Sequence, residues 1–583
     1  FSLTGQPNAM GGREAGGMAT LLPGHREPGN AAHRAEIARL WGVGALPEAP
    51  GKTAVELFDA LREGRIKAVW SACTNPAHSM PDHVRVAEAL AAAEFVVVQD
   101  TYRDTETARY ADLLLPAAGW AEKDGTVTNS ERRISRVRAA VPAPGEARAD
   151  WRIATDFARA LGRALGRDDA GRLFGFDRPE QIFDEHRATT VGRDLDIGGL
   201  SYALLESEGP QQWPFPAGAR SGAARLYADG HFATASGRAR FVAATHRPTA
   251  ERTDARYPLH LITGRLRDQW HGMSRTGTVG RLYGHAPEPV LEMNAQDMAV
   301  RRIADGDLVC VRSRRVQLVL RARARDSLRA AQLFLPMHWG AQFMNGGGSN
   351  ALTLSSVDPL SRQPELKHAA VQVERASYPW RLEAFAGGDA LKRLEALRPL
   401  LARFPYAVCM LAGRDHELAV FRAAAEAPAD DALVGALDAV LGLDGEADVM
   451  TYRDARRGVC KRVRIRDGRV TGARLTGETA ARDWLLELVE RQAAADTLRT
   501  WVLAPVSAPP AGATARGRIV CNCFDMAETE LAERFAAGLT LAEVQQRHGC
   551  GTSCGSCLPE LRRLAAQHGD PSQSRPAGAG VAA

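Results

Sequence analysis

"RIKAVWSACTNPAHSMPDHVRVAEALAAAEFVVVQD", residues 65–100, carries the pattern that decides the fold. Ala68–Ser71 and Phe95–Gln99 are apolar runs of strand length, and the stretch between them is Ala-rich and of helical composition. Strand, helix and strand in that order read as a βαβ unit, and so as a parallel sheet. Ligands of such sheets lie beyond the carboxyl ends of the strands. The polar residues placed there are Cys73-Thr74-Asn75 after the first strand and Gln99-Asp100 after the second. "TYRDTETARYADLLLPAAGW" (101–120) continues the same alternation.

The 583 residues exceed what one core serves, so several domains are expected. The 74 basic and 69 acidic residues are spread along the chain, and the net charge of +5 forms no stripe that would bind nucleic acid. No apolar run reaches the roughly 18 residues of a membrane span. The nearest, 86–98, carries Glu88 and Glu94, so no membrane association is expected. The chain begins Phe1-Ser-Leu-Thr-Gly-Gln-Pro, without the basic and apolar regions of a secretory signal, and reads as starting inside a domain. Nine cysteines, four scattered (Cys73, Cys310, Cys409, Cys460) and five within 521–557, do not suit a disulfide framework. A reducing cytoplasm and one metal site are expected instead.

The expected fold class is α/β multidomain, with a doubly wound parallel-sheet dinucleotide-binding region, a β-barrel, an α+β interface-like domain and a small helical cysteine domain. Residues 1–165 form the α/β region, and 166–255, rich in Gly, Pro and Arg, read as a connecting region of loops and short strands. Residues 256–380 turn to short β-branched runs such as "YPLHLITGR" and "VQLVLRARA", which suit a barrel. Residues 400–503 read as the α+β unit, with helices Ala432–Leu441 and Ala480–Ala493 and strands near Val449–Arg453, Val459–Arg466 and Val470–Thr476. "APVSAPPAGATARG" (504–517) is a linker, 516–566 the cysteine domain, and the residues after it a disordered tail.

In the cysteine domain a Cys-x-Cys pair (Cys521, Cys523) and a Cys-x-x-Cys pair (Cys554, Cys557) are separated by two short amphipathic segments, "AETELAERFAAG" and "TLAEVQQRHG". So small an apolar core needs a metal centre, either zinc or a [2Fe–2S] cluster. "CNCFDM…LAEVQQRHGCGTSCGSCLPEL" resembles the bacterioferritin-associated-ferredoxin type of [2Fe–2S] domain. That resemblance implies Cys521, Cys523, Cys554 and Cys557 as ligands and sets Cys550 aside.

A second resemblance covers most of what precedes. "FSLTGQPNAMGGREAGGMATLLPGHR" (1–26), "TNP" (74–76), "ADLLLPAAGWAEKDGTVTNSERR" (111–133) and "GEARADW" (145–151) are similar to the dinucleotide-binding core of molybdopterin bis-guanine-dinucleotide oxidoreductases, in particular the bacterial assimilatory nitrate reductase catalytic subunits. "LITGRLRDQWHGMSRTG" (261–277) and "NALTLSSVDPLSRQPELKHAAV" (350–371) resemble that family's C-terminal barrel, and "TYRDARRGVCKRVRIRDGRVTGARLTGE" (451–478) resembles the interface domain of flavin disulfide reductases. The resemblance implies that Asn75, Gln99, Asp100, Lys123 and Asp150 contact one dinucleotide. It also implies that Thr263, Gly264, Arg265, Trp270, His271, Gly272, Asn350 and Lys367 complete the pterin site. Glycine turns, a carboxylate and cations are what diphosphate and guanine require. Arg13 is expected to orient an oxyanion above molybdenum, with Gln6 near the metal, whereas Glu122 and Arg132 read as loop-fixing charges.

The implied function is reduction of nitrate to nitrite at a Mo-bis-MGD centre, with electrons arriving through iron–sulfur clusters. The donor would be an NADH-dependent flavoprotein subunit, a ferredoxin or a flavodoxin. Neither the [4Fe–4S] cysteines nor the molybdenum-ligating residue of the family has a counterpart here, so the chain reads as the C-terminal part of a longer protein. A formate dehydrogenase of the same fold is the first rival. A cofactor-less, electron-conducting structural subunit is the second.

Overall fold

A computed structural model describes residues 8–243, 245–359, 361–495, 498–499, 501–508 and 518–568. Gln6, the linker residues 509–517 and the tail from 569 lie outside the described residues. The chain divides into two compact units, residues 1–74 with 85–248, and residues 75–84 with 249–583.

In the first unit, strands Ala68–Ala72, Phe95–Asp100 and Leu113–Pro116 form a parallel sheet. The β-branched run Val96-Val97-Val98 is buried at its centre. The strands lie side by side in chain order, so no reversal of strand order, and no doubly wound arrangement, is present among the described residues. Helix Asp150–Ala164 packs Phe157 edge-on against Trp70, ring centroids 4.8 Å apart.

Residues 166–255 are more than a connector. Helices Pro179–Thr190 and Tyr202–Ser207 carry Phe183, Tyr202 and Leu205 into a core shared with Ile134, Ile197, Trp213 and Phe215. Polar residues dominate helix Pro179–Thr190, and its single buried aromatic hides the helical period in the sequence. Arg132 ties the surrounding loops by donating to the carbonyls of Trp213, Ala223 and Ala224. Glu122 accepts the Gly119 N–H at 2.7 Å.

The second unit contains a closed six-stranded barrel, in the order Gln317–Ala324, Val290–Met293, Gln332–Pro336, Leu259–Gly264, His368–Arg375, Leu308–Arg312. Alternation along Leu259–Gly264 buries Leu259, Leu261 and Thr263. Next to it stands a six-stranded antiparallel sheet, in the order Tyr406–Ala412, Leu418–Ala425, Trp380–Gly387, Arg469–Thr476, Val459–Arg466, Val449–Asp454. This sheet begins earlier in the chain than the sequence reading placed it, and its central strand Trp380–Gly387 was not read as a strand at all. Barrel and sheet share one continuous apolar core.

Charge hides that central strand in the sequence. Glu383 is buried in it, directly opposite Arg422 of the neighbouring strand, with the pair 3.0 Å apart. Arg422 also donates to Glu288 of the barrel at 2.7 Å, and Arg321 of a barrel strand reaches Glu288 at 3.1 Å. The Tyr406 hydroxyl donates to Glu288 as well. Each buried charge therefore has an opposite charge within reach, which is the condition for retaining it in a core. Burial pushes the Glu288 carboxyl up, and Arg422, Arg321 and the Tyr406 hydroxyl more than reverse this, so it stays ionised. Replacing Arg422 by Met removes the cation closest to both buried carboxylates, leaving Arg321 and Arg482 beside them, and should cost about 3 kcal/mol in urea unfolding. The double variant Arg422→Met, Glu383→Leu should lose less than the single one.

Candidate functional site

Beyond the carboxyl ends of the parallel strands, four side chains meet at Asp150, the first residue of its helix. Lys123 Nζ lies 2.5 Å from Asp150 Oδ2, Gln99 Nε2 donates to Oδ1 at 2.8 Å, and the Cys73 thiol donates to the same oxygen at 3.1 Å. Burial raises the Asp150 carboxyl, but the hydrogen bonds from Lys123, Cys73 and Gln99 hold it below the usual range. The helix N-terminus favours the anion further. The Cys73 thiol, pushed up to about 12 by burial and then by Asp150, is an inert donor. Three predicted dinucleotide residues, Gln99, Lys123 and Asp150, are thus brought together. Asp100 accepts the Tyr102 N–H at 3.1 Å, and its charge is a lesser cause of the raised Cys73 thiol.

The second cluster surrounds the segment after the barrel strand Leu259–Gly264. Buried Thr263 donates to the Leu366 carbonyl at 2.8 Å, which ties this strand end to the residue before Lys367. His338, fully buried, holds both ends of the next turn. Its Nε2 accepts the Leu266 N–H at 2.8 Å, so its Nδ1 carries the proton and donates to the His271 carbonyl, also at 2.8 Å. Burial is the main cause that lowers the His338 imidazole to about 4, so it is neutral at ordinary pH.

The clamped segment gathers cations. His271 is lowered by burial and then by Arg265, His78, Arg275 and Lys367. Lys367 is lowered by burial and then by Arg265. Trp270 stands edge-on to His271, centroids 4.6 Å apart, with Arg275 over its face. Mutually repelling cations at a loop form a receptor for an anion such as diphosphate.

Backbone meets side chain closely around this loop. A Cβ at Gly272 would stand 2.8 Å from the His78 ring, and one at Gly264 would stand 2.6 Å from Phe334. Asn75 opens the short helix Pro76–Ser79, and Asn350 donates to the carbonyls of His78 and Ser79. Before Asn350, Gly347 and Gly348 have φ of +77° and +84°, and an added Cβ would meet His83 and the Trp339 carbonyl at 1.9 Å in each case. Only glycine fits there. The glycine-lined cradle and its cations fit the dinucleotide end of a molybdopterin cofactor.

In the cysteine domain, strands Ile519–Cys521 and Met526–Ala527 precede helices Glu528–Ala536, Leu541–His548 and Leu558–His568. The thiols stand in groups. Cys523 and Cys554 are exposed, with sulfurs 3.4 Å apart. Cys521 is buried in hydrogen-bond contact with both Cys557 and Cys550. Cys550, set aside in the sequence reading, is therefore a neighbour of the ligand set. Cys521, Cys523, Cys554 and Cys557 could supply two thiolates to each iron of a [2Fe–2S] cluster.

Arg13, next to last in helix Ala9–Glu14, is exposed, while its neighbour Glu14 is buried and accepts from the Trp213 indole. Gln6 lies outside the described residues. The sequence reading missed His338 and the Gly346–Gly348 run, and it placed Cys73 at the ligand end of its strand without its bond to Asp150. Only the glycines left a visible signal, since His338 looks like any other residue after a strand.

Three stretches of the chain, with the sites they contain, match known families. Residues 4–160 match the Molybdopterin oxidoreductase family, 259–370 the Molydopterin dinucleotide binding domain, and 519–567 the BFD-like [2Fe-2S] binding domain. Among characterised proteins, the chain is 38% identical over 598 residues to a nitrate reductase of Klebsiella oxytoca, covering 97% of this chain and 63% of that protein. It is 42% identical over 379 residues to a nitrate reductase of Synechocystis sp., covering 64% of this chain and 52% of that one. It is also 35% identical over 373 residues to the F420-dependent formate dehydrogenase subunit alpha of Methanocaldococcus jannaschii, covering 64% and 52%. The chain thus spans between about half and 63% of the length of these relatives.

The neutral His338 makes a pH prediction. Its ring is lowered to about 4 in the fold, against an ordinary value of 6.5, so the unfolded chain takes up a proton that the fold refuses. Stability should fall as pH drops from 6.5 toward 4, by on the order of 3 kcal/mol from this group. His338→Gln keeps an acceptor and a donor but does not titrate. Its melting temperature should be less acid-sensitive than that of wild type across the same window.

Proposed function

We propose that the chain is the C-terminal part of an assimilatory nitrate reductase of the cytoplasm, which reduces nitrate to nitrite at a Mo-bis-MGD centre. The observation that carries this reading is the loop Thr263–Gly272. Its cations and glycine-lined approaches suit the cofactor on one side, and the paired-thiol domain is hydrogen-bonded to the other. A cofactor-less structural subunit would not need that cradle. When bound, the molybdenum cofactor supplies oxygen-atom transfer, and the [2Fe–2S] cluster on Cys521, Cys523, Cys554 and Cys557 supplies electrons one at a time. Nitrate, two electrons and two protons give nitrite and water.

The chain's own residues bind and orient. Thr263, Gly264, Arg265, Trp270, His271, Gly272, Asn350 and Lys367 would hold one dinucleotide and its pterin, with Asn75, Gln99, Asp100, Lys123 and Asp150 at the other. Arg13, exposed, presents a bidentate fork to a planar anion. The [4Fe–4S] cluster and the protein ligand of molybdenum are proposed to come from sequence outside these 583 residues, and the donor is an NADH-dependent flavoprotein, a ferredoxin or a flavodoxin. Nine cysteines, none in a disulfide, support a reducing compartment. No described helix is long and apolar enough to cross a membrane.

The formate dehydrogenase of Methanocaldococcus jannaschii keeps a second reading in view. The loaded full-length enzyme should contain molybdenum and consume nitrate with a reduced dye. Formate oxidation without nitrate reduction would establish the second reading instead, and absence of molybdenum would favour the structural subunit. Arg13→Lys retains charge but loses the fork, so kcat/KM for nitrate should fall about tenfold, with molybdenum content unchanged. Unchanged kinetics would remove Arg13 from the substrate path.

A further inference from the structure

Among the described residues, the thiol domain is joined to the rest of its unit by polar contacts close to the thiols. Asn522, between Cys521 and Cys523, donates Nδ2 to Asp268 at 3.1 Å, and Arg267 donates to the Val520 carbonyl at 2.8 Å. Arg267 and Asp268 lie inside the turn that His338 clamps. Glu560, three residues beyond Cys557, stands 3.3 Å from His285 and 3.7 Å from Arg267. Arg414, in the turn between two strands of the antiparallel sheet, donates to the Asn522 carbonyl at 3.0 Å and faces Asp525 at 3.6 Å.

Each contact involves a charged group that is at most about a third exposed. Undocking would return these charges to water but leave Arg267, Asp268 and His285 without their partners on the domain, and the bond to the Val520 carbonyl would be lost. Arg267 also brings its charge beside the thiols, since its guanidinium donates to the carbonyl that precedes Cys521.

We infer that the thiol domain works docked on the rest of its unit, and that Arg267–Asp268 is the junction that holds its thiol loop against the turn clamped by His338. This rests on the function proposed above. Arg267 is a positioning residue, holding the thiol loop and biasing the cluster toward its reduced, more negative form.

The test uses loaded full-length protein with a protease site inserted between residues 508 and 518. After cutting, the two pieces of the wild type should still co-elute on gel filtration. With Arg414→Glu and Glu560→Gln together, retention should weaken at least about tenfold, since buried charge pairs at an interface are lost. Separation of the cut wild-type pieces would overturn the docked state whatever the variant does. Separately, Arg267→Gln should lower the midpoint potential of the cluster, read by EPR titration of the uncut protein, because a cation beside a centre that gains an electron is gone. An unchanged potential with an intact cluster signal would overturn Arg267 as the junction. No iron–sulfur signal in the uncut wild type would instead overturn the proposed function itself.

Discussion

A neutral imidazole sets the geometry on which the rest of the second unit turns. His338 accepts the Leu266 N–H on one nitrogen and donates to the His271 carbonyl with the other, so one buried ring spans a turn of the chain and fixes both its ends. A charged ring could not accept from Leu266 and would add another cation to a group that already repels itself. Because the turn is fixed, its two faces are separated. Arg265 and His271 belong to the cation cluster, while Arg267 and Asp268 point to the thiol domain.

The turn in turn depends on a rigid base. Strands Leu259–Gly264 and Gln332–Pro336 pair in parallel, so Gly264 and the approach to His338 emerge from neighbouring strands of one closed barrel. The barrel is coupled to the antiparallel sheet by Glu288, Arg321, Glu383 and Arg422. Such a network confers less stability than an apolar core of the same volume, but it tolerates only one register between strands, since a slip would bury a charge without its partner. Arg414, which meets the thiol loop, sits in the turn after Tyr406–Ala412 of that same sheet.

Legibility in the sequence followed the strength of periodic signals. The βαβ run, the barrel strands and the two helices between the thiol pairs could be read because apolar period and turn residues agreed. The strand Trp380–Gly387 could not, since Glu383 and Arg381 interrupt its alternation and the partners of Glu383 lie about forty residues or more away in the chain. Among site residues, the Lys123, Gln99 and Asp150 set and the thiols were visible through motif spacing and family resemblance. His338 was not, nor was the bond from Cys73 to Asp150, because each is defined by a hydrogen-bond partner in the fold and not by a neighbour in the chain.

The thiol domain shows how folding, cluster and docking are bound together. Its core contains Val520, Leu531, Phe535, Val544, Leu561 and Leu564, but also Cys521, Cys550 and Cys557, so a third of its buried residues are thiols. Burial raises Cys550 and Cys557 to about 12, which keeps them protonated unless a metal replaces the proton. Assembling the cluster therefore completes the core and charges it in one event. The negative charge so gained lies beside Arg267, whose guanidinium already donates to the carbonyl preceding Cys521. Docking and cluster assembly must on this account strengthen each other, because each supplies the charge that the other leaves unpaired.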